Sequence, residues 1–497
     1  MTRTGPPSRS LDAAVALTRF GMGAKPGEIA AVSADPRGWL EAQAGPQGAP
    51  QPQGEFETSE ARLEQYRDYQ RETAQARMAR REAEPTPAMT GEAAPPSQAE
   101  MALDARRASR RDLVQDTARE FLARAQLGAT THAGFAERWT LFWANVFTAS
   151  ATKFQAAVFM GQYEREAIRP NVFGRFEDLA LAAESHPAML LYLDQAQSVG
   201  PNSPAGERRQ AGLNENLARE ILELHTVGAD GGYTQADVTE FARALTGWST
   251  AGQGRGRGAG QGGGGRERRA AMRAGEPGEN GFAFRAVVHE PGERTVLGRR
   301  YPAGGVDQGR AILKDLANRR ETARRLARKL AVHFVADAPS PELISALERA
   351  WTGSRGDLAV VAKALATHPD SWMPEARKVK TPYEFIVSAH RAMGTSPRRV
   401  PQLQQALVQM GQPAWAAPSP EGWPDTAADW AGPDALVKRL NWAKTVGDAA
   451  PAADAVAMAE GALGERLGDR SRQFVARAES RAEAVTLFLM SPEFQRR

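Results

Sequence analysis

Cysteine is absent from all 497 residues. Its absence excludes disulfides, thiolate zinc sites and a cysteine nucleophile. No apolar run approaches the ~20 residues that a membrane-spanning helix needs. The chain also lacks HExxH, GxSxG, a Walker A loop, and a GxGxxG set between a strand and a helix. The motif-based routes to a zinc protease, a serine hydrolase of that type or a nucleotide-binding enzyme are thereby closed. Charge of either sign is scarce in net terms: 63 Lys and Arg against 59 Asp and Glu give +4. So small an excess on so long a chain gives little general attraction to polyanions. No segment of 20 to 50 residues repeats, so a solenoid is excluded.

What is present reads as helix. Apolar residues make up 42% of the chain, enough for a large core. Trp139, Phe142, Trp143 and Phe147 recur at three- and four-residue spacing within the aromatic segment Phe135 to Phe159, the pattern of a buried helix face. Phe176 to Leu193 reads as two helices broken at His186-Pro187, because the residue before proline disfavours helix. Glu55 to Glu84 reads as a charged, solvated helix and Ala102 to Leu127 as another. Pro85 to Ser97 reads as a linker-like excursion, and Ala251 to Gly281 as a disordered Gly/Arg-rich insert without interleaved aromatics for base stacking. Nucleic acid is therefore not expected as a partner. Phe282 to Tyr301 carries two β-favouring runs around Glu290-Pro291-Gly292-Glu293, which predicts a β-hairpin over 282–301. The fold class expected is mainly α, one large multi-helical domain over 1–497 with that small hairpin.

The densest patterning lies in Leu213 to Trp248. Leu213, Leu217, Ile221 and Leu224 form an apolar stripe at helical spacing, flanked by Glu220 and Glu223. Two carboxylates beside a buried stripe need partners or a cation, and semi-buried paired acids can have pKa values pushed apart. They could therefore serve as an acid/base pair or as oxygen ligands of a hard cation. They could equally pair with Arg219 or Arg243. His225 falls ~140° from Glu220 on an ideal helix, so the two are not expected to share a metal. Glycines at 228, 231 and 232 end the helix, and Thr234 with Asp237 has capping-box spacing for the next one. The second candidate is His289-Glu290, read as an exposed turn that matters only if the fold brings it to Glu220. The remaining histidines, His132, His186, His333, His368 and His390, read as packing, capping or surface. The candidate catalytic residues are thus Glu220, Glu223, His225 and His289. No cofactor is implied, and metal binding is left open.

The segment Asn214 to Thr226 (NENLAREILELHT) resembles the bacterial domain-of-unknown-function-1800 family, as does Gly231 to Trp248. So do Ala16 to Ala24, His186 to Asp194, Lys378 to Gly394, Gly422 to Trp430 and the SPEFQRR segment. The resemblance implies a mainly helical protein without an assigned activity, often exported. It also implies a protein partner from the domain-of-unknown-function-1501 family, which is often encoded alongside. Relatives read FWxNHF or FWHNHF where this chain has Phe142-Trp143-Ala144-Asn145-Val146-Phe147, without histidine. The usual His-Asp of the hairpin is His289-Glu290 here. If those histidines bind a metal in relatives, this chain has lost a ligand.

Two functions follow. An accessory or assembly role with a protein partner is preferred. The alternative is a hydrolase built on the acid pair and a histidine, with or without a metal. As written, the chain is expected to be cytoplasmic, because the apolar run Ala13 to Leu17 is too short for a signal-peptide core. A misassigned start would instead allow a periplasmic or exported protein.

Overall fold

The computed structural model describes residues 8–82, 97–209, 212–252, 275–450 and 454–497. The predicted linker over 85–97, all but Ser97, and most of the Gly/Arg insert lie outside them. Helices dominate, as expected, with short antiparallel strands. No helix of the described residues is long and apolar enough to cross a membrane.

The aromatic helix Gly134–Val146 forms the centre of the larger core. Trp139 and Trp143 are fully buried, and Trp139 stacks on Phe173 with centroids 6.0 Å apart. The helix stops before Phe147, which packs beyond its end against Phe176 and Trp143. The helix Arg320–Phe334 brings Phe334 onto the same cluster. A second apolar cluster gathers Phe385, Val387, Leu407, Val485 and Phe488, and Trp415 packs against both clusters.

Local rules hold where they were strongest. Phe176–Ser185 and Pro187–Tyr192 break at His186, whose Nδ1 accepts from Ala188 N. Thr234 caps Gln235–Leu245 with a full capping box. Asp237 of that box also accepts from Leu297 N, which pins the hairpin turn to the helix start. Helices Ser59–Glu82 and Gln98–Thr130 pack together, the second starting at a Ser97–Glu100 capping box.

The hairpin is smaller than predicted and turns elsewhere. Arg294–Val296 pairs with Arg299–Tyr301 around Leu297-Gly298, both with positive φ. Phe282–Phe284 belongs to another sheet, pairing with Trp248–Thr250 on one side and Glu276–Pro277 on the other. The residues between form a short 3-10 turn, Ala286–Val288. An alternating apolar run shows that a segment is a strand, not which strand it pairs with. The last residues of the predicted insert are accordingly ordered, with Glu276–Pro277 as an edge strand and Glu279–Gly281 as a 3-10 turn.

His390 gives the fold a pH signature. It is largely buried on the helix Pro382–Ala392, its Nδ1 2.8 Å from Thr395 Oγ1, and burial pushes its pKa down to about 4. The unfolded chain takes up this proton near its ordinary value of 6.5, and the folded chain only near 4. Stability should therefore fall as pH drops through that window. His390→Gln should remove this part of the slope. Urea midpoints of both proteins at pH 7.5, 5.5 and 4.5 test it. Parallel loss in both would show that His390 contributes nothing.

Candidate functional site

The predicted helix at Leu213 begins at Asn216 and is α-helical only to Glu220. Ile221–His225 then widens into a π-helix. Thr226 Oγ1 bonds back to Ile221 O at 2.6 Å, and Gly228, with φ +89°, closes the end by donating to Leu222 O. Such a widening adds a residue to the turn and shifts the faces that an ideal helix would separate. The 140° between Glu220 and His225 therefore does not hold, and His225 comes close enough to act on the Glu220 carboxyl.

His225 nonetheless does not serve the acid pair. Its Nδ1 lies 2.6 Å from Glu184 Oε1, and both side chains are completely buried. Phe147 covers the ring with centroids 5.3 Å apart. Glu220 and Glu223 remain half-buried, and the expected arginines do not close them off. Arg219 pairs with Glu215, and Arg243 with Glu240. Glu223 accepts from Tyr233 Oη at 3.3 Å. Burial pushes the Glu220 carboxyl above its ordinary range, and neighbouring Glu223 and Glu184 add to this while His225 opposes it. Among the described residues no group of three or more His, Asp or Glu has metal-binding geometry.

His289 is also occupied. Its Nδ1 donates to Thr246 O at 2.7 Å, and its ring packs on Phe284. Burial lowers its pKa. Glu290, expected on an exposed turn, is 1% exposed. Its carboxylate accepts from Asn202 N at 2.8 Å and from the Asn202 side chain. Among the described residues, no hydrogen bond or ion pair joins His289 to Glu220 or Glu223.

A different constellation surrounds a cavity of about 110 Å³ where the two apolar clusters meet. His333, on Arg320–Phe334, places Nδ1 2.9 Å from Asp425 Oδ2. Burial lowers the pKa of His333, against the pull of Asp425. For Asp425 burial is outweighed by His333, Lys378 and Arg497, and its pKa falls. The pair is therefore a carboxylate and a neutral imidazole at neutral pH. Glu384 bridges Arg138 and Arg497 and is held well below the usual carboxylate range, burial being outweighed by both arginines. Arg124 pairs with Glu164 and faces the Tyr383 ring at 4.6 Å. Asn145 clamps the backbone of Trp423 through both amide atoms. Ala144 lines the cavity, and Val146 is buried in the core. These are the two positions at which the family resemblance implies a histidine.

One turn before His333, Lys329 is pushed down to about 8, by burial first and by Arg325 second. Arg325, Lys329 and His333 thus form a row along one helix face, with Glu421 and Asp425 close enough to act on it. His333, expected as packing, capping or surface, is buried against Phe142 and Phe334 and also lines this cavity. A signal was available: Lys378 to Gly394, Gly422 to Trp430 and SPEFQRR, three segments that carry the family resemblance, converge here through Glu384, Asp425 and Arg497.

No curated protein and no solved structure matches this chain. The family model described as "Protein of unknown function (DUF1800)" matches residues 15–496. With nearly the whole chain covered, the protein belongs to the DUF1800 family.

Proposed function

We propose that this chain acts as a helical accessory protein that docks a protein partner, and that Leu213 to Trp248 maintains its fold. The observation that carries this reading is the His225–Glu184 contact at 2.6 Å, with both side chains sealed from solvent. A histidine committed in this way cannot reach a substrate. The partner proposed is a member of the domain-of-unknown-function-1501 family, as the resemblance implies. A surface for it is offered by the helix Pro433–Ala449, where Leu436, Val437 and Leu440 are 40%, 56% and 40% exposed. Contiguous exposed apolar side chains of this kind mark interaction surfaces.

The test is co-expression with the neighbouring family member, followed by size-exclusion chromatography. A co-eluting complex is expected, and Leu436→Glu with Leu440→Glu should weaken it at least about tenfold, a loss of ~1.4 kcal/mol. Two separate peaks at micromolar concentration would contradict the reading, as would a doubly substituted chain that binds like the wild type.

One observation favours a hydrolase instead. Glu220 and Glu223 are half-buried and, among the described residues, form no ion pair with arginine, and burial pushes the Glu220 carboxyl upward. Paired acids in unequal surroundings can divide acid and base roles. Turnover in a chromogenic ester and glycoside panel that is lost in Glu220→Gln at unchanged melting temperature would support that alternative.

A further inference from the structure

The His333 cavity holds one unanswered hydrogen-bonding group. Among the described residues lining it, His333 Nε2 is the buried polar side-chain atom without a partner. Several other polar groups of the lining are occupied. Asn145 holds Trp423, Tyr163 Oη donates to Phe147 O at 2.7 Å, and Glu164 and Glu384 are held by arginines. Asp425 is kept ionised by Lys378 and Arg497, so its partner Nδ1 carries the proton. Nε2 then presents a lone pair. A buried acceptor left unmet costs about 1–3 kcal/mol, so a molecule that supplies a donor is favoured there.

The rest of the wall sets the shape of that molecule. Phe121, Tyr383, Trp415 and Trp423 line the cavity with rings. Its volume of about 110 Å³ is of the same order as the ~150 Å³ that accommodates a benzene ring in an engineered apolar cavity. The charged side chains that line it are already paired, which disfavours an ionic guest.

We infer that this cavity binds a small, neutral, planar molecule that donates one O–H or N–H to His333 Nε2 while its ring packs against the aromatic wall. The inference stands apart from the partner reading, since it concerns the cavity between the two apolar clusters rather than the surface of Pro433–Ala449.

Phenol and benzene are matched probes, alike in ring and differing in the donor. Calorimetric titration of the full chain at pH 7.5 should show saturable phenol binding at least about tenfold tighter than benzene. His333→Leu should bring phenol down to the benzene level, and His333→Gln, which keeps an acceptor, should retain part of the preference. Circular dichroism checks that each variant is folded. Should His333→Leu fail to fold, the wild-type phenol/benzene ratio and the Gln variant still decide. Equal binding of the two probes by the wild type would overturn the inference. So would phenol binding indifferent to His333→Leu, or no binding of either probe, which would mean a water-filled cavity only.

Discussion

Replacing Arg169 by methionine should cost about 3–5 kcal/mol of folding free energy, among the largest effects of any single substitution in this chain. Arg169 is wholly buried. Its Nη1 donates to Glu137 Oε2 at 2.8 Å and Nη2 to Glu137 Oε1 at 3.0 Å, a two-pronged grip on one carboxylate. Its Nε and Nη2 hold Glu164, and Nη1 also reaches Pro50 O at 2.7 Å. Burial disfavours the guanidinium charge, but Glu137 and Glu164 outweigh it and raise the pKa. Without Arg169, Glu164 keeps Arg124, while Glu137 is left as an uncompensated carboxylate that is 0% exposed. The penalty comes from that stranded charge rather than from lost attraction. Combining Arg169→Met with Glu137→Leu should therefore recover most of the loss. Urea denaturation of wild type, single and double variants reads this out. A double variant no more stable than the single one would show that the arginine acts through packing instead.

The second large effect is expected at His225. His225→Leu strands Glu184 in the core beside Tyr163, again at about 3–5 kcal/mol. Glu220→Gln, by contrast, should change stability by less than about 1 kcal/mol, because Glu220 is half-buried and makes no ion pair among the described residues. The two residues lie five apart on one stretch of backbone, and the π-helical turn brings them close. The difference between them is burial and commitment to a partner. An equal cost at both positions would mean that the acid flank, not the histidine, supports the fold.

How far the sequence could be read follows from which contacts are local. The aromatic spacing of Trp139, Phe142 and Trp143, the break at His186-Pro187 and the Thr234–Asp237 box depend on neighbours within four residues, and each is present. The π-turn at Ile221–His225 depends on the Thr226 hydroxyl and on Gly228, a combination that apolar periodicity does not register. The hairpin was misplaced because the partner of Phe282–Phe284 is Trp248–Thr250, across the insert. The buried ionic groups were illegible for the same reason on a larger scale. Arg138 meets Glu384, Arg169 meets Glu137, and His333 meets Asp425 across tens to hundreds of residues. In sequence each is one charge beside an apolar run, and only the fold shows which are paired.

The central claim is that the histidine of Leu213–Trp248 holds the fold through Glu184. A double-mutant cycle on His225→Leu and Glu184→Leu, with unfolding free energies from urea titration at pH 7.5, measures that contact directly. Strong non-additivity is predicted: each single change costly, and the double variant more stable than their sum implies by at least about 1–3 kcal/mol. Additive losses, or single changes that cost less than about 1 kcal/mol, would contradict the account and return His225 to the list of residues free for chemistry.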